Sequence, residues 1–222
     1  MRQLYESLFI QNRVLYSNLA NSHFKEEDIQ LKRFFESLSR YANSANEAYC
    51  SLYGSKNYIS MAHLLRMMAD ACFCAYGLLI CNNKEGYLQS FFDGLPLNKH
   101  KKGNEQLTSN VIKKYIEPEY VGISKVYEIS NKFIHPSGFY YKDYSPEAII
   151  NHQGKDLLSD YSSLYNKTEV KLLNDLMQGL NEALYDILKR VKETIEPIPI
   201  LKDIIELNTG KIIPNPKYNP DK

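Results

Sequence analysis

The run Ser60–Cys81 (SMAHLLRMMADACFCAYGLLIC) constrains the fold more than any other stretch of the chain. It is apolar along its length apart from His63, Arg66 and Asp70, and it is too long for a strand, so it reads as a helix buried on most of its sides. The three polar residues recur at offsets of three and four, which puts them on one face. Length alone lets such a run cross a bilayer. An arginine, an aspartate and a histidine near its first half make that costly, so the expectation is the core helix of a cytoplasmic protein.

Everything around this run has helical spacing too. Leu4, Leu8, Leu15 and Leu19 form a stripe over 2–20, with Tyr5, Phe9 and Tyr16 beside it. Asn21 and Ser22 offer a cap, and a second helix is expected over about Glu26–Leu52, with Leu31, Phe34, Phe35, Leu38, Tyr41, Ala45, Ala48, Tyr49 and Leu52 inward. After the buried run come a short helix over Lys84–Phe92, a basic loop over Gly94–Gly103, and a helix from Ser109 or Asn110 to Ile116, stopped by Pro118. A further helix is expected over Tyr120–His135, because the residue before Pro136 is pushed out of helical dihedrals. The last long helix runs over about Thr168–Thr194. The reading is one all-α domain, a single-domain helical bundle over 1–207, followed by a Pro/Asn/Lys-rich tail over 208–222.

Charge and composition remove several function classes. A net charge of +1 excludes a protein that coats nucleic acid indiscriminately, although the loop carrying Lys99, His100, Lys101 and Lys102 leaves a local phosphate contact open beside simple solvation. The chain has 18 Tyr and no Trp, a composition that suits polar cores and base-stacking surfaces alike. Cys50, Cys72, Cys74 and Cys81 sit in apolar helical patterns with no C-x-x-C pair, so buried thiols are expected, with no metal site and no cofactor. Glycine-rich phosphate loops, H-E-x-x-H and G-x-S-x-G are all missing, which argues against kinases, P-loop ATPases, Rossmann dehydrogenases, zinc peptidases and α/β-hydrolases.

What remains is a stripe on the helix before Pro136. Glu128, Asn131 and His135 lie at i, i+3 and i+7, so all three can face one cleft. His135 stands at the helix C-terminus, where the dipole favours imidazolium, and can serve as general acid or base. It can equally cap the helix by bonding a carbonyl.

Ser130-Asn131-Lys132-Phe133-Ile134-His135 resembles the R-N-x-x-x-H signature of HEPN domains, all-helical bundles found in bacterial toxins, abortive-infection proteins and RNA-processing systems. Asn131 and His135 match, and Ser130 stands where the signature has arginine. The string His135-Pro136-Ser137-Gly138, taken with the Leu64-Leu65-Arg66 helix, is similar to bacterial helical proteins placed near that family. The resemblance implies a homodimer that cleaves RNA without a metal, histidine handling protons and arginine stabilising phosphate. Arg66 is then the candidate substitute for the missing arginine, unless Asp70 one turn on holds it in a structural ion pair. Catalytic candidates are His135, Asn131 and Arg66. Candidate ligand contacts are Glu128, Ser130, Lys132, Ser137, Tyr140 and Tyr141, the two tyrosines either stacking bases or covering a helix end.

Two expectations of function follow. One is a HEPN-like protein of a bacterial defence or toxin–antitoxin type, a metal-independent RNase or an effector derived from one. The other is a non-catalytic helical module that binds a nucleotide, RNA or a partner protein. No membrane partner is expected in either case.

Overall fold

The computed structural model describes residues 2–22, 24, 28–55, 57–134 and 167–195, with side chains at all of these except 2–9, 58–59, 129, 131–134 and 167–170. The elements are α1 (Arg2–Ala20), α2 (Ile29–Gly54), α3 (Tyr58–Ile80), α4 (Lys84–Phe92), the short strands β1 (Lys101–Lys102) and β2 (Glu105–Gln106), α5 (Ser109–Ile116), α6 (Ile123–Ile134) and α7 (Lys167–Ile195). The fold is all-α. The expected boundary between 207 and 208, and the whole tail, lie outside the described residues.

The apolar run folds as α3, and the other helices assemble round it. α7 packs on it most extensively, followed by α6 and α2, with α5 and α4 at the margins. Met61, Leu65, Met68, Cys72, Tyr76 and Leu78 are buried, and Ala62, Ala69, Ala71 and Ala75 between them let the neighbouring backbones approach. Among the described residues this is the one helix long and apolar enough to cross a membrane, and in this bundle other helices cover it.

Local chemistry fixes both ends of α3. The Asn57 side chain accepts from the Ser60 N–H at 3.2 Å, and beyond the C-terminus Lys84 donates back to the Leu78 and Leu79 carbonyls at 3.1 and 2.8 Å. Gly77 faces Tyr87 of α4 so closely that an added Cβ would lie 2.5 Å from the tyrosine hydroxyl, which itself donates to the Cys74 carbonyl at 2.9 Å. No residue with a side chain fits there without moving the ring.

Three differences from the sequence expectation have physical causes. Leu15 is 39 % exposed, and the buried face of α1 instead carries Asn12, Tyr16 and Leu19. Asn12 donates to Gln178 at 3.0 Å and Tyr16 to the Asn181 carbonyl at 3.0 Å, so hydrogen bonding to α7 sets the rotation of α1. Tyr41 is likewise turned outward, its expected place taken by Ala42 and Asn46. Finally, the loop after Gly94 contains a hairpin, with Lys101 opposite Gln106 and Lys102 opposite Glu105. Its two-residue turn uses Gly103 at φ 58, and Asn82 pins it by bonding the Gly103 N–H and carbonyl at 2.8 and 2.9 Å.

Candidate functional site

α3 and α6 run antiparallel, and aromatic side chains mark the register. Tyr76 meets Tyr120 edge-on with centroids 6.4 Å apart, and Phe73 stacks on Tyr127 at 4.5 Å with the planes 9° from parallel. The last turn of α6 therefore runs toward the half of α3 that carries His63 and Arg66. α3, which carries the apolar run, and α6, which carries Ser130 and Asn131, pack against each other.

Arg66 is the best-defined group in this corner. Its Nε donates to Asp70 Oδ2 at 2.9 Å, its Nη2 donates to the Tyr127 hydroxyl, and its guanidinium carbon lies 3.5 Å from the centre of the Tyr127 ring. Only 13 % of the Arg66 side chain is exposed, against 50 % of Asp70. The Tyr127 hydroxyl in turn donates to Ser109 Oγ at 3.2 Å, which ties α5 to the same cluster. A guanidinium held over an aromatic ring and paired with a carboxylate is a geometry that arginine suits and lysine does not. The Arg66–Asp70 ion pair that the sequence offered as the alternative to a phosphate-gripping arginine is formed.

The other candidates differ in where they lie. Ser130 is buried, and its hydroxyl donates into its own helix, to the Val126 and Tyr127 carbonyls at 2.7 and 3.1 Å. Glu128 is exposed and pairs with Lys113 at 2.9 Å. Asn131 and Lys132 stand in the last turn of α6 with side chains that are not described, while His135, Ser137, Tyr140 and Tyr141 lie outside the described residues. His63 is half-buried one turn before Arg66.

The basic loop is less free than its composition suggests. Lys102 sits 3.6 Å from the centre of the Tyr115 ring, and His100 Nε2 is 2.9 Å from Ser90 Oγ. Next to it, Lys114 pairs with Glu105 at 2.9 Å. Lys99 and Lys101 remain exposed.

Beside the Arg66 cluster, between α3, the turn at 97–99 and the start of α5, lies a cleft of about 440 Å³. Phe73, Leu107 and Ile112 form its apolar wall, and Asp70, Asn98 and Asn110 supply its polar rim. Cys74 also lines it, but burial pushes the thiol up to about 12, so it stays protonated and is no nucleophile. A second groove, of about 430 Å³, runs between α6 and α7 past Gly179, Asp175, Glu182 and Asp186. Among the described residues no group of three or more His, Cys, Asp or Glu side chains is placed to hold a metal ion.

Spacing along the sequence could not reveal the cleft. Asn98 and Asn110 come together only because the 103–104 turn reverses the chain between them. That turn is the one signal that was present, since Gly-Asn between two short runs is a hairpin dipeptide. No family model matches the chain, and neither a curated protein nor a solved structure matches it.

Proposed function

We propose that this chain is a HEPN-like helical protein of a bacterial defence or toxin–antitoxin type, acting as a non-catalytic module that binds a nucleotide or RNA. The state of Arg66 carries this choice. A guanidinium stacked on Tyr127, bonded to its hydroxyl and paired with Asp70 is held for packing, and binding a phosphate would break a half-buried ion pair. Ser130, at the position where the signature has arginine, offers a hydroxyl already bonded to its own helix.

The nuclease reading is the second proposal. The antiparallel packing of α3 on α6, which runs the motif-bearing turn toward the Arg66 end of α3, favours it. The proposed setting is the cytoplasm, with the chain acting as a homodimer. No metal enters either proposal.

One experiment separates the two. Purified protein is incubated with labelled single-stranded RNA in the presence of a chelator, and its melting temperature is followed as nucleotides are added. The expected outcome is intact RNA and a melting temperature that rises with nucleotide. Cleavage that disappears in His135→Ala overturns the binding module and establishes the nuclease.

A further inference from the structure

Resting on the binding-module reading, we infer that the cleft between α3, the 97–99 turn and α5 receives the nucleoside part of the ligand and leaves the phosphate outside. Its volume of about 440 Å³ falls within the roughly 300–1,000 Å³ typical of small-molecule sites, and its wall of Phe73, Leu107 and Ile112 suits a flat apolar body. Phe73, Leu107 and Ile112 are themselves buried, and Phe73 is held by its stack on Tyr127, so the floor of the cleft is fixed before any ligand arrives.

Charge decides which end of a nucleotide enters. Among the described residues, the one charged side chain lining the cleft is Asp70. Asp70 Oδ2 is taken by Arg66, while Oδ1 has no partner among the described residues. A phosphate entering here would meet a carboxylate whose cationic partner, Arg66, is already engaged by Asp70 and Tyr127. A ribose would meet an acceptor for its hydroxyls.

The rim completes the match. The exposed side-chain amides of Asn98 and Asn110 make no hydrogen bond among the described residues, and each presents a donor and an acceptor side by side. That is the pattern with which an amide reads a base edge. Lys99, next to Asn98 in the chain, and Lys101 beyond it are exposed outside the cleft, where a phosphate attached to the bound nucleoside would lie in their field. A free nucleoside and one nucleotide of an RNA strand share this chemistry.

Calorimetric titration of the full chain with the four ribonucleosides and their 5′-monophosphates, alongside anisotropy with a labelled single-stranded RNA, tests the assignment. The same titrations are run on Asn98→Ala/Asn110→Ala, whose melting temperature should match the parent because both residues are exposed. At least one nucleoside should bind, its monophosphate by no more than a few-fold better, and the double variant about tenfold or more weaker. If RNA also binds and competes with the nucleoside, the strand is the source; if RNA does not bind, the free nucleoside is. RNA binding that the double variant leaves unchanged, with no nucleoside binding, overturns the cleft and leaves the binding module standing. A monophosphate that binds where no nucleoside does also overturns the cleft. Absence of binding by nucleosides, nucleotides and RNA alike removes both.

Discussion

The polar residues inside this bundle do work that apolar ones could not. Asn46 and Asn181 exchange hydrogen bonds through their amides at 2.8 and 3.0 Å, Tyr16 donates to Asn181, and Asn181 also donates to the Met177 carbonyl at 2.8 Å. With Asn46 at 3 % exposure and Asn181 at 1 %, every bond lost leaves a dry, unpaired group. Asn181→Ala is expected to cost about 2–4 kcal/mol in chemical denaturation, since several partners are orphaned together. A double-mutant cycle with Asn46→Ala should return a coupling of about 1 kcal/mol or more. A coupling near zero means that the two amides do not act as a pair. Arg66 permits a similar test: Arg66→Ala should lower stability by about 1–2 kcal/mol, and Arg66→Lys should recover little of it, because a lysine cannot stack on Tyr127 and reach Asp70 in the same way. Full recovery by lysine argues for simple charge and against the stack. The Arg66–Asp70 pair was visible in the chain from its spacing of four residues, but the asparagine partnerships were not. Asn12, Asn46 and Asn181 occupy inward positions of otherwise apolar stripes, where a hydropathy pattern reads them as interruptions, and Asn46 and Asn181 stand 135 residues apart.

The elements themselves were largely legible. α1, α4, α5 and α7 begin and end within a residue or so of the positions their apolar spacing indicates, and α3 ends one residue short of Cys81. The start of α6 differs for a reason in the turn before it. The Glu117 carboxylate accepts from the N–H groups of Gly122 and Ser124 at 2.7 and 2.9 Å, so the helix starts at Ile123 and not at Tyr120. Burial on its own pushes the Glu117 carboxyl up, but those donors outweigh it and hold it below the ordinary value of 4.5. A depressed value means that the carboxylate stabilises the fold above the unfolded carboxyl range, and that this contribution fades as pH falls through the lower folded value. Glu117→Gln should therefore flatten the acid side of the stability profile below about pH 4.5, measured by urea melts at several pH values. A parallel, unflattened profile dismisses the cap. In α7, Gly179 faces open space, with nothing within 4 Å of where a Cβ would be. Gly179→Ala should stabilise by about 0.5–1 kcal/mol, raising Tm by about 1–4 °C, because mid-helix glycine carries an entropic cost that nothing here offsets. A fall in Tm would reveal a contact at that face.

At the scale of the whole molecule, one helix is touched by α2, α4, α5, α6 and α7, and the described bundle is expected to unfold as one cooperative unit. Far-ultraviolet dichroism and tyrosine emission should therefore trace the same urea transition, and separated midpoints would mean that part of the bundle unfolds on its own. That the apolar run forms a buried helix could be read from the sequence, because a long apolar run has few ways to be covered. The cleft could not be, because it needs α3, a turn and α5 to meet, and periodicity says nothing about which loops converge. The thiols carry a last consequence of that central helix. Burial drives Cys72, Cys74 and Cys81 upward, Cys74 to about 12 and Cys81 to about 11, and all four cysteines of the chain are unbridged. Aromatic disulfide reagents at neutral pH thus find almost no thiolate in the three that line α3 and its end. Their modification becomes a clock for how often the centre of the bundle opens, and the protein brings its own reporter of breathing without an engineered label.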